Sequence, residues 1–355
     1  MSDILRPSAS DLAASWYIAM PSNKLGAKPV PLQLFGREVV AWRDGAGRPS
    51  LLPRYCPHQG ASLAVGKVVD GTLRCPFHGW RFDNTGACVR IPVSARIPST
   101  ARLAPFPTEE RYGYVWAWYG GAEPIFPLPD FSALDVDRDQ YTGFRFDDST
   151  AGTARQLLEN AIDYFHFLTL HGLAMDPLEF RVLHDPEEAR DNGSPIHGDA
   201  FFGAWLDGRV QQYPLLKQPS QWLLAKAATY FSGENFQLLV DGWPGGQRYT
   251  GYIDGKEVYK VFLAITPVRD GLTRQRGWAL VKKSHRRSRT LFDLMLLYGQ
   301  SRGGTAQDIP IYNHTRAEEG RSYVRYDNGL LKYRKHYQSW VDRVDADPIR
   351  SGAPS

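Results

Sequence analysis

Cysteine is scarce in this chain, with three in 355 residues. That number cannot build a disulfide framework and points to a reducing, cytoplasmic setting. No uninterrupted apolar run approaches the roughly 18 residues that a membrane-spanning helix needs, so no membrane anchor is expected. The opening residues, Met1 to Pro7, lack the apolar stretch of a secretory signal. Neither sign of charge dominates: 42 Lys and Arg stand against 38 Asp and Glu, a net charge of +4. A nucleic-acid partner, which selects a concentrated basic surface, is not expected. No G-x-G-x-x-G fingerprint follows a strand, so this chain is not expected to bind a dinucleotide itself. No repeat or low-complexity tract is present. Aromatic residues are plentiful instead, with 10 Trp, 18 Tyr and 17 Phe. They suit a large β-rich core or a roomy aromatic pocket.

Two of the cysteines stand in a telling place. Cys56-Pro57-His58 reads C-x-H, and sixteen residues later Cys75-Pro76-Phe77-His78-Gly79-Trp80 reads C-x-x-H-G-W. Two thiolates and two imidazoles on two short loops make a four-ligand clamp. Such a set suits tetrahedral zinc or an iron–sulfur cluster. The order and spacing favour iron, because zinc fingers more often pair C-x-x-C with H-x(3–5)-H. Two His replacing two Cys on one iron of a [2Fe–2S] centre make a Rieske centre. The third cysteine, Cys88, reads as a small buried hydrophobe.

Around the clamp the chain alternates in short β runs broken by Gly and Pro, the signature of a small all-β unit. Trp16–Met20 is one run. Leu32–Phe35 and Glu38–Trp42 form a hairpin about Gly36-Arg37, and Tyr112–Tyr119 reads as a closing strand. The stretch Gly120-Gly121 with Pro124, Pro127 and Pro129 reads as a linker. The expected organisation is a lead-in over 1–14, a cluster domain over 15–122 and a second domain over 123–355. In that domain Thr153-Ala154-Arg155-Gln156 is a capping box opening a helix to about Phe167. Residues 180–265 are rich in β formers, Trp278–Val281 is another strand, and helices are expected at Arg289–Leu297 and Leu330–Val341. Antiparallel sheet with flanking helices makes this half α+β.

A cluster moves single electrons, so a destination for them is sought downstream. Asp163-Tyr164-Phe165-His166 and the following residues to His171 read D-x-x-H-x(4)-H. On one ideal helix, at about 100° per residue, the two imidazoles point roughly 140° apart. They share a metal only if the helix ends between them, and Gly172 and Asp176-Pro177 make that plausible. An open iron site takes two His and one carboxylate. Asp308, in Gln307-Asp308-Ile309-Pro310, is the chosen third ligand. Asn160, one turn before Asp163, is a further candidate for the pocket.

The clamp, the D-x-x-H-x(4)-H run and a distant carboxylate before an apolar pair resemble the Rieske-type non-haem iron oxygenases. The resemblance implies an N-terminal Rieske [2Fe–2S] domain, held by Cys56, His58, Cys75 and His78. It also implies a C-terminal α+β domain of helix-grip type, with mononuclear Fe(II) on His166, His171 and Asp308. It implies that Asp163 links the two centres by hydrogen bonding to His78 of a neighbouring subunit in a head-to-tail homotrimer. Electrons would come from a separate NAD(P)H-dependent reductase or ferredoxin. Leu12–Tyr17, Arg111–Trp116, Gly242–Gly246, Lys332–Arg334 and Trp340–Val344 extend the likeness over most of the chain, toward the arylamine N-oxygenases within the family. That implies an aromatic small-molecule substrate, an amine oxidised to a nitro compound in secondary metabolism such as antibiotic biosynthesis. Phe165, Phe167, Trp205, Phe231 and Trp243 are the candidate pocket walls. The alternatives are carbon hydroxylation or desaturation of a steroid-like or other secondary metabolite, a Rieske ferredoxin-type electron carrier, and a zinc-stabilised binding module.

Overall fold

The structure, a computed structural model, describes residues 12–172, 174–212, 235–316 and 322–344. The chain divides into two compact units. Each is set out by itself.

The first unit is built from short antiparallel strands. β1 (Ser15–Pro21), β2 (Val30–Leu34), β3 (Arg37–Arg43), β4 (Pro49–Pro53) and β5 (Lys67–Val69) come first. β6 (Thr72–Arg74), β7 (Arg81–Phe82), β8 (Cys88–Arg90), β9 (Thr108–Arg111) and β10 (Tyr114–Tyr119) follow. Among the described residues they form three sheets, ordered β1-β10-β9, β2-β3-β4 and β5-β6-β7-β8. The β2–β3 turn is Phe35-Gly36, not Gly36-Arg37, because Arg37 pairs with Leu34. Both turn residues have positive φ, 55° and 70°. Phe35 accepts that conformation because its ring is buried against Tyr17 and Tyr119, at centroid distances of 5.2 and 4.8 Å. The run Tyr112–Tyr119 expected as the closing strand is strand from Tyr114 onward, and Tyr112-Gly113 forms the turn between β9 and β10.

Among the described residues, this unit reaches past the expected linker to Leu128, and it takes back Thr266–Asp270 and Trp340–Val344. A cut at 122/123 misses this, and side-chain packing gives the reason. Phe126 stacks edge-on with both Trp118 and Trp340, at 5.1 Å each. Its carbonyl also accepts from Trp16 Nε1 at 2.9 Å.

The second unit opens with β11 (Tyr141–Thr150), α1 (Ala154–Glu159), α2 (Phe165–Thr169), β12 (Ala174–Leu183) and β13 (Phe202–Gln212). It continues with β14 (Asn235–Trp243), β15 (Gly246–Ile253), β16 (Lys256–Arg269), β17 (Leu272–Lys282), α3 (Arg287–His314) and α4 (Asn328–Val341). The strands make a seven-stranded sheet in the order β11-β17-β16-β15-β14-β13-β12. Strand side chains alternate, so register sorts them into two faces. Phe180, Leu206, Leu238, Gly251 and Tyr259 are aligned across five strands and share one face. The helices cover that face. Phe180 stacks on Tyr164 just before α2 at 4.8 Å, and Gln247 Nε2 donates to Leu158 O of α1. Arg181, Trp205, Leu239, Thr250 and Lys260 lie on the other face, against the 3₁₀ segment Pro186–Asn192. Antiparallel sheet with helices on one face is the α+β architecture expected.

Two helix expectations change. The Thr153–Gln156 capping box is present, but the helix ends at Glu159 rather than Phe167. Asp163 Oδ1 accepts from Phe165 N at 3.2 Å, a local bond that competes with helix, and Ile162 N and Asp163 N both bond back to Glu159 O at 2.9 Å. The helix expected at Arg289–Leu297 runs on to His314, through Gly303-Gly304 and Pro310. Packing on β11 and β17 outweighs those breaking signals.

Candidate metal centres

Cys56 and Cys75 are each 2 % exposed, inside a core with Trp42, Leu63, Leu73 and Phe82. His58 and His78 are exposed, their ring centroids 4.6 Å apart. Trp80 stacks flat on His58, at 4.5 Å and 7°, and the Phe77 ring lies 3.8 Å from that of His78. None of the cysteines is in a disulfide. Burial pushes the Cys56 thiol up to about 11, so bare thiolate is disfavoured there and a cation would be needed to hold it.

The two cysteine sulfurs belong to the buried core, and the two imidazoles are exposed. Two inward sulfurs and two outward imidazoles fit a two-iron centre, with sulfur on one iron and nitrogen on the other.

The second site is assembled from two segments. α2 ends at Thr169 and Gly172 turns away at φ 69°, so His166 and His171 are freed from helical phase. Their ring centroids lie 5.0 Å apart. Asp308 comes from α3. Its Oδ1 is buried and has no hydrogen-bond partner; it lies 3.4 Å from His171 Nε2, an ion-pair distance only if that imidazole is protonated. The Asp308 carboxylate beside it pushes the His171 imidazolium up, whereas burial pulls His166 down. A buried carboxylate oxygen without a donor, facing two imidazoles, fits a divalent cation. His166 Nδ1 is bonded to Asp163 O and His171 Nδ1 to Gln307 Oε1 at 2.7 Å, so each ring offers Nε2 to the metal.

The other expected residues divide. Asp163 braces His166 through its backbone carbonyl, while its carboxylate Oδ1 accepts from Phe165 N at 3.2 Å. Asn160 Nδ2 donates to Tyr312 OH, one turn past Asp308 on α3. The Phe167 ring lies 4.3 Å from that of His166, and Phe165 packs on Tyr164 and Tyr326. Trp205 and Trp243 are a correction. Strand alternation puts both on the opposite face, Trp205 beside Tyr252 and Trp243 beside Phe262. Phe231 lies outside the described residues.

The sequence reading missed Tyr249, Tyr259, Tyr312 and Gln307. Tyr249 and Tyr259 are partly buried on the helix-covered face of the sheet. Burial pushes both phenols up, Tyr259 to about 12, so they remain neutral donors. Tyr312 and Gln307 were findable only by extending α3, which sets them four residues after and one before Asp308.

Comparison with known proteins agrees with this geometry. A family model described as the Rieske [2Fe-2S] domain matches residues 15–102. The chain is 38 % identical over 345 residues to aminopyrrolnitrin oxygenase PrnD of Pseudomonas fluorescens, covering 95 % of this chain and 93 % of that protein. It is 30 % identical over 355 residues to a 3-ketosteroid-9-alpha-monooxygenase oxygenase component of Rhodococcus rhodochrous, covering 96 % and 86 %. Among solved structures, dicamba monooxygenase bound to 3,6 dichlorosalicylic acid superposes with a TM-score of 0.70 at 19 % identity, covering 94 % of this chain and 99 % of that one. NdmA of Pseudomonas putida CBB5 with caffeine gives 0.64 at 19 % identity, covering 93 % and 94 %. The structural matches establish the fold. The near-full-length sequence relatives, together with a two-iron clamp and an open His-His-Asp set, establish that the chain belongs to the Rieske-type non-haem iron oxygenases.

Proposed function

We propose that this oxygenase oxidises the nitrogen of an aromatic amine, toward a nitro product in secondary metabolism, with electrons from a separate NAD(P)H-dependent reductase or ferredoxin. The observation that carries the reading is the convergence of His166, His171 and Asp308 within 4.8 Å, on the sheet face lined by the neutral phenols of Tyr249 and Tyr259. The 38 % identity to aminopyrrolnitrin oxygenase across nearly the whole chain supports an amine as substrate. When bound, the cluster on Cys56, His58, Cys75 and His78 supplies single electrons, and the iron activates dioxygen. Each oxygen placed on nitrogen consumes one O₂, two electrons and two protons and releases one water.

The chain's own residues do the rest. Asp163 O and Gln307 Oε1 hold the two imidazoles in the metal-ready tautomer. Asn160 donates to the Tyr312 oxygen, which leaves the Tyr312 O–H as a donor. Aromatic walls and neutral hydroxyls suit an uncharged aryl amine, whose lone pair must stay unprotonated to be oxidised. We also read the chain as a homotrimer, in which the exposed His78 of one copy faces Asp163 of the next; sedimentation mass tests this directly.

The experiment is turnover of the reconstituted protein with a reductase, an aryl amine and a 3-ketosteroid panel under isotopically heavy dioxygen. Labelled hydroxylamine, nitroso or nitro product supports the reading. Label on steroid carbon alone favours the second reading, to which the 30 % identity with the ketosteroid monooxygenase component lends support.

A further inference from the structure

His166 and His171 are held in place by different means. Asp163 O lies three residues before His166 on the same segment, so the backbone itself takes the Nδ1 proton. No substitution at Asp163 removes that brace. His171 lies beyond the end of α2, where the chain is already turning at Gly172. Its Nδ1 is bonded instead by a side chain from α3, Gln307 Oε1 at 2.7 Å. Gln307 is next to Asp308, so one turn of α3 contributes both a carboxylate ligand and the brace of an imidazole ligand. Gly304, one turn earlier, faces the same ring: a Cβ built there would lie 3.8 Å from His171 Cε1, ordinary van der Waals contact.

An imidazole ring has two nitrogens, and the hydrogen bond at one decides which lone pair the other offers. Without an acceptor at Nδ1, His171 populates the Nδ1-lone-pair tautomer and rotates more freely. We infer that Gln307 is the positioning residue of the mononuclear iron site, holding the Nδ1 proton of His171 so that Nε2 faces the metal beside Asp308. The inference rests on the assignment of iron to His166, His171 and Asp308.

The test uses the full-length, cluster-loaded protein from which the mononuclear iron has been removed. Fe(II) is titrated back without oxygen, and occupied sites are counted by the high-spin EPR signal formed with nitric oxide. Gln307→Leu, nearly the same shape without the acceptor, weakens Fe(II) binding about 10–100-fold. Gln307→Glu keeps an acceptor oxygen and keeps most of the affinity. The visible spectrum of the cluster and the melting temperature report folding for both. Wild-type affinity in Gln307→Leu, or a loss in Gln307→Glu as large as in Gln307→Leu, overturns the inference. His171→Ala is the third arm. If it binds Fe(II) as tightly as the parent, the iron assignment fails and the inference with it. If it loses Fe(II) while Gln307→Leu does not, the role of Gln307 alone is refuted.

Discussion

Asp241→Leu should destabilise the catalytic unit severely, and the size of the effect follows from its surroundings. Asp241 and Arg248, on neighbouring strands β14 and β15, pair with their side chains wholly buried. Arg248 also donates to Asp130 O and to Ser194 O, and Asn192 Nδ2 donates to Asp241 Oδ1 at 2.8 Å. Removing the carboxylate strands a guanidinium with no access to water, which costs about 3–5 kcal/mol. Asn192 loses its better partner as well, worth about 1 kcal/mol. For a domain of this size each kcal/mol moves the melting temperature about 2–4 °C, so the drop should be roughly 10–20 °C. Asp241→Leu with Arg248→Met removes both charges and should recover most of it, because a buried pair replaced by apolar side chains is close to neutral. Far-UV circular dichroism on the two variants and the parent measures this. The reasoning fails if Asp241→Leu melts within about 3 °C of the parent, or if the double variant is no better than the single one.

Alanine at His166, His171 or Asp308 should cost one iron per chain and abolish oxygenated product while leaving the cluster spectrum intact; metal analysis beside the visible spectrum checks it. Burial lowers the pKa of Lys260, so the unfolded chain binds that proton more tightly than the folded one. Stability should therefore rise with pH between the depressed value and the ordinary 10.5, and Lys260→Met should flatten that slope in urea melts at several pH values. Gly251→Ala puts a Cβ 2.4 Å from Tyr259 Cε1, so it should displace that ring, cost about 1–3 kcal/mol and raise KM for the substrate, read from steady-state kinetics.

The parts of this molecule that were legible in the sequence are the local ones. The clamp, the capping box at Thr153 and the strands around Trp16 and Trp278 are each set by residues within one turn or hairpin of one another. What was not legible depends on tertiary context. Gly303, Gly304 and Pro310 disfavour helix by their intrinsic propensity, yet α3 passes through all three because its flank is packed on two strands. The carboxylate ligand could be chosen, but its helix could not be seen, and Gln307 and Tyr312 stayed hidden with it. Trp205 and Trp243 are candidates for the pocket as aromatic residues, and aromatic character does not say which side they take. Which face of the sheet they occupy is a matter of register, and one residue of slip reverses it. The first unit's return at Thr266 and again at Trp340 has no local signature either.

The clamp shows how burial sorts the two ends of a redox centre. Its sulfurs lie at the bottom of an apolar core, where a thiolate is unfavourable without a cation and where solvent cannot exchange it. Its imidazoles stand at the surface. Of the four ligands, only the imidazoles can be met by a partner molecule, because the cysteine side is enclosed by Trp42, Leu63, Leu73 and Phe82. Trp80 lies flat against His58, and exposed Phe77 lies against His78, so each ring keeps one orientation while its edge remains open. The same division appears at the second centre, where the Nδ1 sides are taken up by Asp163 and Gln307 and the Nε2 sides are left for the metal. In both centres the protein spends its hydrogen bonds and packing on the backs of the imidazoles, and chemistry is confined to the atoms left uncovered.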